Sequence, residues 1–563
     1  MAFVIEIVLL VVVLGLIWRY LGSYLTAVFE GRVHFLDWIE KPLLHLLGIT
    51  PGAEQSWRRY LRSLLTFSFV SLIITYLLLV LQGHLPLNPQ HLADVTPALA
   101  FNTAVSFLTN TNWQNYAGGT TMSYLSQMVA LATQNFVSAA VGLAVAIAVI
   151  RGFARKRSDT LGNFWIDTIR GIFYVLLPIS IVMTLIFVWQ GSPQTLLGPT
   201  HIHDALNGFH QTILRGPVAS QEVIKQLGTN GGGFFNANAA HPFENPTGLT
   251  NFLEIVLILC IPVALTYTFG KMVGNIKEGV AVLMAMIILF AGTFAFTLAA
   301  EKGGNPAIRA AGITSTRGNM VGKESRFGVD NSVLFNVTST QTSTGSVDSS
   351  ADSYTPIGGL GMMAGMMYGE VSPGGIGSGM YTILIFAILT VFIAGLMVGR
   401  TPEYVRKKIQ RTEIIWASIG VLVMPITVLI LAAITVAIPD GRAAVLNHGP
   451  HGFSEILYAF TSQANNNGSA FAGLSTNTAY FNITGAIAML IGRFGVIVPV
   501  MALAGSLGAK EEVPVTAGTF LTATPMFTTL LVGIILLVGA LNFFPAVALG
   551  PVAEAVLHGR FFS

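Results

Sequence analysis

Residues 228–233 read GTNGGG, and three other short polar turns share this character, each just before a long apolar run. These turns read TNTNW from Thr109, TSTGS from Thr342 and ANNNGSA from Ala464. Their equivalent positions are Asn112, Gly231, Gly345 and Gly468. These positions lie 119, 114 and 123 residues apart along the chain. A polar turn that recurs at nearly constant spacing predicts a fourfold internal repeat.

The composition indicates the solvent in which these repeats fold. Of the 563 residues, 53% are hydrophobic and 10% are charged, and the mean hydropathy is +0.68. Soluble proteins contain about 25% charged residues, so we predict an integral membrane protein. The chain has one cysteine, Cys260, so it cannot form a disulfide within the chain. Cys260 lies in an apolar run. We expect a packed thiol there.

Ten apolar runs are long enough, at about 20 residues each, to cross a bilayer as helices. They cover residues 3–27, 61–82, 124–150, 165–190, 250–271, 278–300, 357–398, 414–438, 478–505 and 518–545. The first run contains Glu6, has no basic leader and precedes no obvious small-residue cleavage site. We therefore expect a retained helix and not a removed signal peptide.

The basic residues between the runs predict the orientation, because Lys and Arg near span ends stay on the cytoplasmic side. Basic connections cover residues 32–62, 151–157, 271–277 and 400–411, with Lys510 in the last connection. Residues 83–123 contain no Lys or Arg. The connection 301–356 contains five basic residues, but long translocated segments follow the rule poorly. We expect all four polar turns and both termini to be external.

Each polar turn follows a short segment with a helical pattern. These segments cover residues 97–108, 217–227, 331–341 and 453–463, and they are too short to span. Backbone that is not helical at membrane depth must be surrounded by protein or line a water-filled cavity. We therefore predict an all-α polytopic membrane protein with about ten transmembrane helices. Four pseudo-symmetric repeats of span, pore loop and span would surround one central pore.

The same pattern divides the chain into six segments. Residues 1–57 would form an extra transmembrane helix with its cytoplasmic connection, and residues 511–563 would form an extra C-terminal helix. The four pore-loop repeats would cover residues 58–157, 158–275, 276–411 and 412–510. The third repeat would have a broken second helix.

The chemistry of the turns points to a filter for a dehydrated ion. Rings of backbone carbonyls can replace an ion's hydration shell, and Gly and Asn tolerate the backbone conformations that this requires. Neighbouring side chains that offer oxygen without net charge are Thr111, Asn230, Thr344 and Asn467. They suit a monovalent cation, since a divalent one would call for carboxylates. The alternative is that these are ordinary turn and cap residues, but four at matched positions favour the filter.

Several longer motifs carry a family resemblance. They read GPVASQEVIKQLGTNGGGFFNANAAHPFENPT from Gly216, GKESRFGV from Gly322, AGLMVGRTPEY from Ala394, GPHGFSEILYAFTSQANNNGSAFAGLS from Gly449 and GRFGVIVPVMALAGSL from Gly492. Over essentially its full length the chain resembles the family of potassium-binding subunits of Kdp-type potassium-transporting P-type ATPases. That family belongs to a superfamily of potassium transporters built from four pore-loop repeats. One stretch differs, because the family pattern has a His before Asp352 that this chain lacks.

The resemblance implies a subunit that selects external potassium and passes it to a separate P-type ATPase catalytic subunit for high-affinity import. It also implies a single-span accessory subunit, a small lipid-like accessory peptide, membrane lipid around the complex, and a place in the bacterial inner membrane. No nucleic acid partner is expected. The filter residues that it implies are Asn110, Thr111, Asn112, Thr229, Asn230, Gly231, Ser343, Thr344, Gly345, Asn466, Asn467 and Gly468, with Gln114 just beyond the first loop.

The energy source is expected to lie in another chain. The sequence contains neither a GxxxxGK[ST] phosphate loop nor a DKTGT stretch of the kind that P-type pumps phosphorylate. The GTNGGG turn lacks the Lys that a nucleotide loop would need. We therefore expect no catalytic residue and no ATP site in this chain, and potassium as the transported ion.

The seventh apolar run has features that suggest a route for the ion toward the cytoplasm. The run 357–399 is too long for one span and is interrupted by nine glycines between 358 and 379 and by Pro373. We expect a broken helix, which can line a cavity or act as a gate, although Gly-rich packing is an alternative. Gly369 and Glu370 lie at this break. The resemblance implies that the break guards the ion's exit toward the ATPase subunit.

Four further charged or titratable positions can be interpreted from the sequence. Arg493 lies inside the ninth run, where we favour a gate or tether over a structural pair with a carboxylate such as Glu370. Arg400 is either part of a cytoplasmic basic flank, with its neighbours at 406–408, or a docking residue for the partner. His241 and His451 lack metal-ligand spacing, so we expect loop residues.

Three hypotheses remain open. The first is a potassium-selecting subunit of an ATP-driven pump, and the second is a passive or ion-coupled transporter of the same superfamily that works alone. The third is a structural membrane subunit whose loops only pack. ATP-dependent uptake that requires a P-type subunit separates the first two. The third predicts that Gly231→Asp leaves cation affinity unchanged.

Overall fold

Helices dominate the computed structural model, which describes residues 1–203, 208, 210–313, 318–397, 399–514 and 519–557. Within these residues the strands form only two small antiparallel hairpins. One pairs Thr200–His203 with His210–Ile213, and the other pairs Glu403–Tyr404 with Lys407–Lys408. The predicted all-α class is confirmed.

Ten described helices are long and apolar enough to cross a membrane. In chain order, spans 1 to 10 are Ala2–Phe29, Trp57–Val80, Ser126–Ala154, Phe164–Trp189, Gly248–Met272, Ile276–Lys302, Ser378–Met397, Arg411–Ala437, Ala479–Gly508 and Pro525–Leu557. The predicted count is therefore confirmed, and the chain is a multi-pass membrane protein. Two predicted boundaries, at 398 and 518, lie outside the described residues.

The predicted seventh span is divided into two helices, as the glycine-rich sequence indicated. A 12-residue helix, Pro356–Met367, precedes span 7. Residues 368–377 between them contain no helix. Thr355 begins the first helix because its side-chain oxygen accepts a hydrogen bond from the Gly358 amide, as an N-cap residue does. The predicted broken helix is therefore present.

Four short helices, which we call pore helices 1 to 4, precede the four polar turns. They are Pro97–Leu108, Val218–Leu227, Gly328–Thr340 and Gly449–Asn465. Each lies in the chain between two spans, so the order span, pore helix, polar turn, span occurs four times between spans 2 and 9. Spans 1 and 10 lie outside this repeat, in agreement with the predicted architecture.

The remaining short helical segments occupy connections. They are Asp37–Leu46, Gln82–His84, Gly118–Thr121, Asn238–Ala240, Pro306–Ala310, Ala351–Ser353 and Pro439–Arg442.

Burial places two spans at the centre of the molecule. In the most apolar windows of spans 3 and 5, 89% and 83% of the residues are buried, against 6% in span 1. Span 3 is rich in Ala and Gly from residue 139 onward, which lets neighbouring backbones approach closely. At Gly142 a Cβ atom would collide with the carbonyl oxygen of Ile376, next to the break before span 7. The central spans therefore pack directly against the segments that form the polar turns.

The connections on the face opposite the polar turns are tied together by basic side chains. The Arg155 guanidinium lies 2.6 Å from the Glu54 carboxylate, and the Lys510 ammonium lies 2.6 Å from Glu413. Lys407 belongs to the basic stretch 406–408, but it is not a solvent-exposed side chain. Its side chain is buried and its Nζ donates to the carbonyl oxygens of Gly152 and Leu507 at 2.9 and 2.6 Å.

Candidate ion site

The four polar turns meet each other in a closed ring. We call residues 110–112, 229–231, 343–345 and 466–468 loops 1 to 4. In three contacts a loop glycine lies against the carbonyl oxygen of the second residue of the next loop, so closely that a Cβ atom would collide with it. These pairs are Gly231 with Thr344, Gly345 with Asn467, and Gly468 with Thr111. Loop 1 meets loop 2 where Asn110 Nδ2 donates to the Thr229 carbonyl over 2.7 Å.

All four loops leave their pore helices in the same way. The first residue of each loop adopts a left-handed backbone conformation with φ between 44° and 67°; these residues are Asn110, Thr229, Ser343 and Asn466. The amide of the second residue donates to the carbonyl five positions earlier, at 2.8 to 3.2 Å. These bonds join Thr111 to Ser106, Asn230 to Lys225, Thr344 to Ser339 and Asn467 to Ser462. This geometry belongs to the Schellman helix end, so the repeat extends to the backbone.

The second residue of each loop is fully buried, and in loops 1, 3 and 4 its carbonyl oxygen lies against the glycine of a neighbouring loop. Among the described residues, no N–H or O–H group donates to the four second-residue carbonyl oxygens; they belong to Thr111, Asn230, Thr344 and Asn467. Buried backbone carbonyls in proteins are nearly always paired. Four unpaired oxygens at equivalent positions in one ring are therefore the feature that most directly indicates a bound cation.

The side chains of the same four residues are hydrogen-bonded to protein groups. Thr111 and Thr344 each contact the hydroxyl of the Thr two positions earlier, at 2.8 and 2.7 Å. Asn230 Nδ2 donates to Asn110 Oδ1 over 2.6 Å, and Asn467 Oδ1 accepts from the Ser469 hydroxyl over 2.5 Å. Asn230 Oδ1 is nevertheless a buried oxygen without a hydrogen-bond partner among the described residues. The predicted contribution of side-chain oxygens to ion binding stays a prediction, and the four backbone carbonyl oxygens are unoccupied acceptors as well.

Glu370 joins loops 3 and 4 from the break before span 7. Its side chain is 2% exposed and its backbone is left-handed, with φ of 48°. One carboxylate oxygen accepts from Asn467 Nδ2 over 2.8 Å, and the other accepts from the Ser343 hydroxyl. Glu370 therefore has a structural role through these hydrogen bonds, which place a carboxylate directly against the ring.

A cavity of about 60 Å³ lies at the same end of the ring. Its lining includes the first residues of three loops together with the break and span 9; these are Asn110, Ser343, Asn466, Gly369, Glu370 and Arg493. The volume is enough for a few water molecules. The predicted gate residues Gly369, Glu370 and Arg493 are therefore brought together with the filter residues.

Arg493 lies in this cavity wall without an acidic partner. Its side chain is 5% exposed, and Nη2 donates to the Ser138 carbonyl over 3.0 Å. In the described part of the chain, no carboxylate oxygen lies within 4 Å of the guanidinium. The alternative of a direct ion pair with Glu370 does not hold, because Glu370 is bonded to the loops instead.

Gln114 and Arg400, two further residues singled out from the sequence for a role in gating or coupling, lie apart from this cavity. Gln114 bridges loops 1 and 2 at the far end of the ring, where its Nε2 donates to the Gly233 carbonyl over 3.0 Å and its Oε1 accepts from the Gly233 amide over 3.1 Å. Arg400 is exposed beyond span 7, a helix of 20 residues. Such a helix is about 30 Å long, so Arg400 does not belong to the ring.

Sequence reasoning missed a polar group on span 3 that supports loops 1 and 2. Ser138 Oγ donates to Asn110 Oδ1 over 2.7 Å, and Asn112 Nδ2 donates to Asn135 Oδ1 over 2.6 Å. Gln134, Asn135 and Ser138 interrupt an otherwise apolar run. Polar residues within a span are functional candidates by default, so this signal was available.

His451 was expected in a loop, and this is wrong. It lies in the first turn of pore helix 4, where Nε2 is 2.9 Å from Asp352 Oδ1 and Nδ1 is 2.9 Å from Glu554 Oε1. The hydrogen bonds to Asp352 and Glu554 raise the pKa of His451 to about 10. A protonated imidazole therefore ties pore helix 4 to the third repeat and to span 10.

His451→Gln is expected to destabilise the protein near neutral pH by about 1.5 to 3 kcal/mol, the range for hydrogen bonds to charged groups. The pKa is raised from an ordinary value of about 6.5, so the contribution is complete below that value and is lost as the pH rises through about 10. Thermal unfolding at pH 6.5 and pH 10.5 measures the difference. His84→Gln, at an exposed histidine, is the control. An equal loss at both pH values would contradict the assignment.

Comparisons with known proteins agree with this geometry. The family model described as the potassium-transporting ATPase A subunit matches residues 7–556. A protein of Granulibacter bethesdensis named as a potassium-transporting ATPase potassium-binding subunit is 53% identical over 550 residues, covering 97% of this chain and 96% of its own length. A protein of the same name from Mesorhizobium japonicum is 52% identical over 564 residues, with 99% of both chains covered.

Among solved structures, the potassium transporter TrkH of Vibrio parahaemolyticus is similar with a TM-score of 0.49 and 15% identity, over 76% of this chain and 83% of that one. The family match spans all four repeats, and both relatives are aligned over nearly their whole length. This chain therefore belongs to the family of the potassium-transporting ATPase A subunit.

Proposed function

We propose that this protein binds and selects potassium ions as the non-catalytic, ion-binding subunit of a potassium-transporting P-type ATPase. The observation that carries the proposal is the ring of four buried, unpaired carbonyl oxygens at equivalent loop positions. Its close relatives, which it matches over nearly their whole length, are named as potassium-binding subunits. A role in potassium transport as part of a larger complex follows from both.

The ring has the chemistry of a site for a dehydrated monovalent cation. Removing a bare ion from water costs tens of kcal/mol, so oxygen ligands must replace most of the hydration shell. The loops contain no carboxylate, whereas a divalent ion would be expected to use several. The proposed filter comprises the three residues of each loop, at positions 110–112, 229–231, 343–345 and 466–468.

The cavity beside Glu370 is the proposed first station after the filter. Glu370 would fix loops 3 and 4 and attract the leaving ion, while the buried charge of Arg493 would oppose passage straight through the molecule. The break at Gly369 would allow movement of this wall. Gln114 would hold the opposite, entry end of the filter, and Arg400 would contribute to partner docking.

ATP hydrolysis is assigned to a separate P-type catalytic subunit, because the sequence has no phosphate loop and no phosphorylation motif. A single-span accessory subunit and a small lipid-like peptide complete the proposed complex. It would lie in the bacterial inner membrane, with both termini and the filter entrance external. The six-segment division at residues 57, 157, 275, 411 and 510 is retained as part of the proposal.

Competition among potassium, rubidium and sodium on the purified complex tests this function. We expect potassium to stimulate ATP hydrolysis at far lower concentration than sodium. Gly231→Asp is expected to raise the potassium concentration required by at least about tenfold, or about 1.4 kcal/mol, because its Cβ would collide with the Thr344 carbonyl. The control is Gly48→Asp, at a left-handed glycine with open space around it.

The outcomes separate the three classes of function. Unchanged affinity in Gly231→Asp would contradict the filter and favour a structural subunit. Potassium-selective uptake by this chain alone, without ATP, would instead favour an independent transporter.

A further inference from the structure

One position in the four pore helices breaks the repeat chemically. The residue whose carbonyl accepts the loop amide is Ser in repeats 1, 3 and 4, and Lys225 in repeat 2; the serines are Ser106, Ser339 and Ser462. The four positions are 119, 114 and 123 residues apart, the same spacings as the loops. Repeat 2 therefore has a buried ammonium where the others have a hydroxyl.

The side chain at this position has a defined task in repeat 1. There, Ser106 Oγ donates to the carbonyl of Trp113, the residue just after loop 1, over 2.9 Å. In repeat 2, Lys225 Nζ donates to the carbonyl of Gly232, the residue just after loop 2, over 3.0 Å. Trp113 and Gly232 are themselves 119 residues apart. Lys225 thus performs the task of Ser106, but with a positive charge.

Lys225 fastens loop 2 at both ends. Its backbone carbonyl accepts from the Asn230 amide over 2.8 Å, and its ammonium bonds the Gly232 carbonyl. Gly232 is left-handed, with φ of 68°, so the chain turns away from the ring at this residue. The next residue, Gly233, is bonded on both its amide and its carbonyl by Gln114. Gly231 is therefore the last loop 2 residue whose carbonyl is left for the ring.

Two carboxylates balance the charge of Lys225. A neutral serine at this position would not need them. Lys225 is 0% exposed, and its Nζ lies 2.7 Å from Glu222 Oε2 and 2.5 Å from Glu244 Oε2. Glu244 Oε1 in turn accepts from the Phe235 amide over 2.7 Å. A buried ion is costly unless it is paired and hydrogen-bonded. The cluster meets that condition, and two of its members, Lys225 and Glu244, also bond the backbone that follows loop 2.

We propose that Lys225, with Glu222 and Glu244, is a specificity-determining positioning unit that fixes the shape of loop 2 and thereby the size of the cation site. The proposal rests on the function proposed above. The unit does not contact the ion. It turns the Gly232 carbonyl out of the ring and holds the second and third residues of loop 2 at the distance from loop 3 that suits one cation radius.

The test uses the complete purified complex and two variants. The triple variant Lys225→Ser/Glu222→Gln/Glu244→Gln installs the residue of the other repeats and removes the ammonium together with both carboxylates that contact it. Lys225→Arg keeps the positive charge but replaces the ammonium with a planar guanidinium. The matched control is Lys323→Met with Glu301→Gln, which removes another buried ion pair, of 2.7 Å, outside the loops. Thermal unfolding and size-exclusion chromatography establish that each variant is folded and assembled.

Ion-stimulated ATP hydrolysis is then measured with potassium, rubidium and sodium. We expect the triple variant to raise KM for potassium about tenfold or more and to reduce the preference over rubidium and sodium, with kcat within twofold of wild type. Lys225→Arg is expected to recover part of the preference. The control pair is expected to change neither quantity, since a purely structural loss would not shift one ion against another.

The result that would overturn this proposal is a folded triple variant with wild-type KM and ion preference. A change confined to kcat, with the same ion preference, would overturn it as well. A wild-type complex with no preference for potassium would instead overturn the proposed function, and with it this inference.

Discussion

Gly345→Ala is expected to raise KM for potassium by at least about tenfold in ion-stimulated ATP hydrolysis. Gly345 has φ of 76°, a conformation that costs an L-residue about 1 to 2 kcal/mol. A Cβ atom there would also collide with the Asn467 carbonyl oxygen and lie 2.8 Å from the backbone of Gly468. The collision must move loop 3 away from loop 4, and 1.4 kcal/mol already corresponds to tenfold in affinity.

The control for this variant separates backbone strain from damage to the ring. Gly274 has the same φ of 76°, but nothing lies within 4 Å of its Cβ position, in the turn between spans 5 and 6. Gly274→Ala is expected to lower stability slightly and to leave KM for potassium unchanged. If Gly345→Ala had no larger effect on KM than Gly274→Ala, the close packing of loops 3 and 4 would not matter for ion binding.

Glu370→Gln is expected to produce the second large effect, again about tenfold in KM for potassium. The carboxylate accepts from both the Ser343 hydroxyl and Asn467 Nδ2. A glutamine of the same size can still accept from Asn467 Nδ2, and the Ser343 hydroxyl can turn to accept from its NH₂ group, but both bonds then lose the negative charge. Hydrogen bonds to charged groups contribute about 1.5 to 3 kcal/mol, against about 0.5 to 1.5 kcal/mol for neutral ones, so the contact between loops 3 and 4 would loosen.

A buried glutamate away from the ring provides the comparison. Glu455 in pore helix 4 accepts from Asn447 Nδ2 over 2.7 Å and from the Leu446 amide over 3.2 Å. Glu455→Gln is expected to change unfolding temperature and not KM for potassium. Equal KM values in Glu370→Gln and wild type would show that Glu370 is only a structural group.

Local sequence patterns were enough to predict the repeat architecture. Pore helix 1 begins and ends at the predicted residues, Pro97 and Leu108, because proline suits the first helical turn and the polar turn ends the helix. The break before span 7 was predicted from the nine glycines between residues 358 and 379. Pore helix 3 begins three residues earlier than predicted, at Gly328, since helix starts are weakly marked when no capping side chain is present.

The contacts that complete the site depend on residues far apart in the chain. Glu370 and Asn467 are 97 residues apart, and Ser138 and Arg493 are 355 apart. No spacing rule links such positions, so the bonding of Glu370 to the loops and the lack of an acidic partner for Arg493 were not predictable. The burial of Lys407 was not predictable either, because its Nζ bonds carbonyl oxygens at the ends of spans 3 and 9, which belong to other repeats.

Cation density on the axis of the ring is the most direct test of this account. Maps of the purified complex would be recorded in potassium and in rubidium, with anomalous or difference density used to identify the ion. We expect one ion peak among loops 1 to 4, in contact with the second-residue carbonyl oxygens. This peak should be weaker in the triple variant Lys225→Ser/Glu222→Gln/Glu244→Gln. A ring without ion density at saturating potassium, or an ion bound elsewhere in the chain, would contradict it.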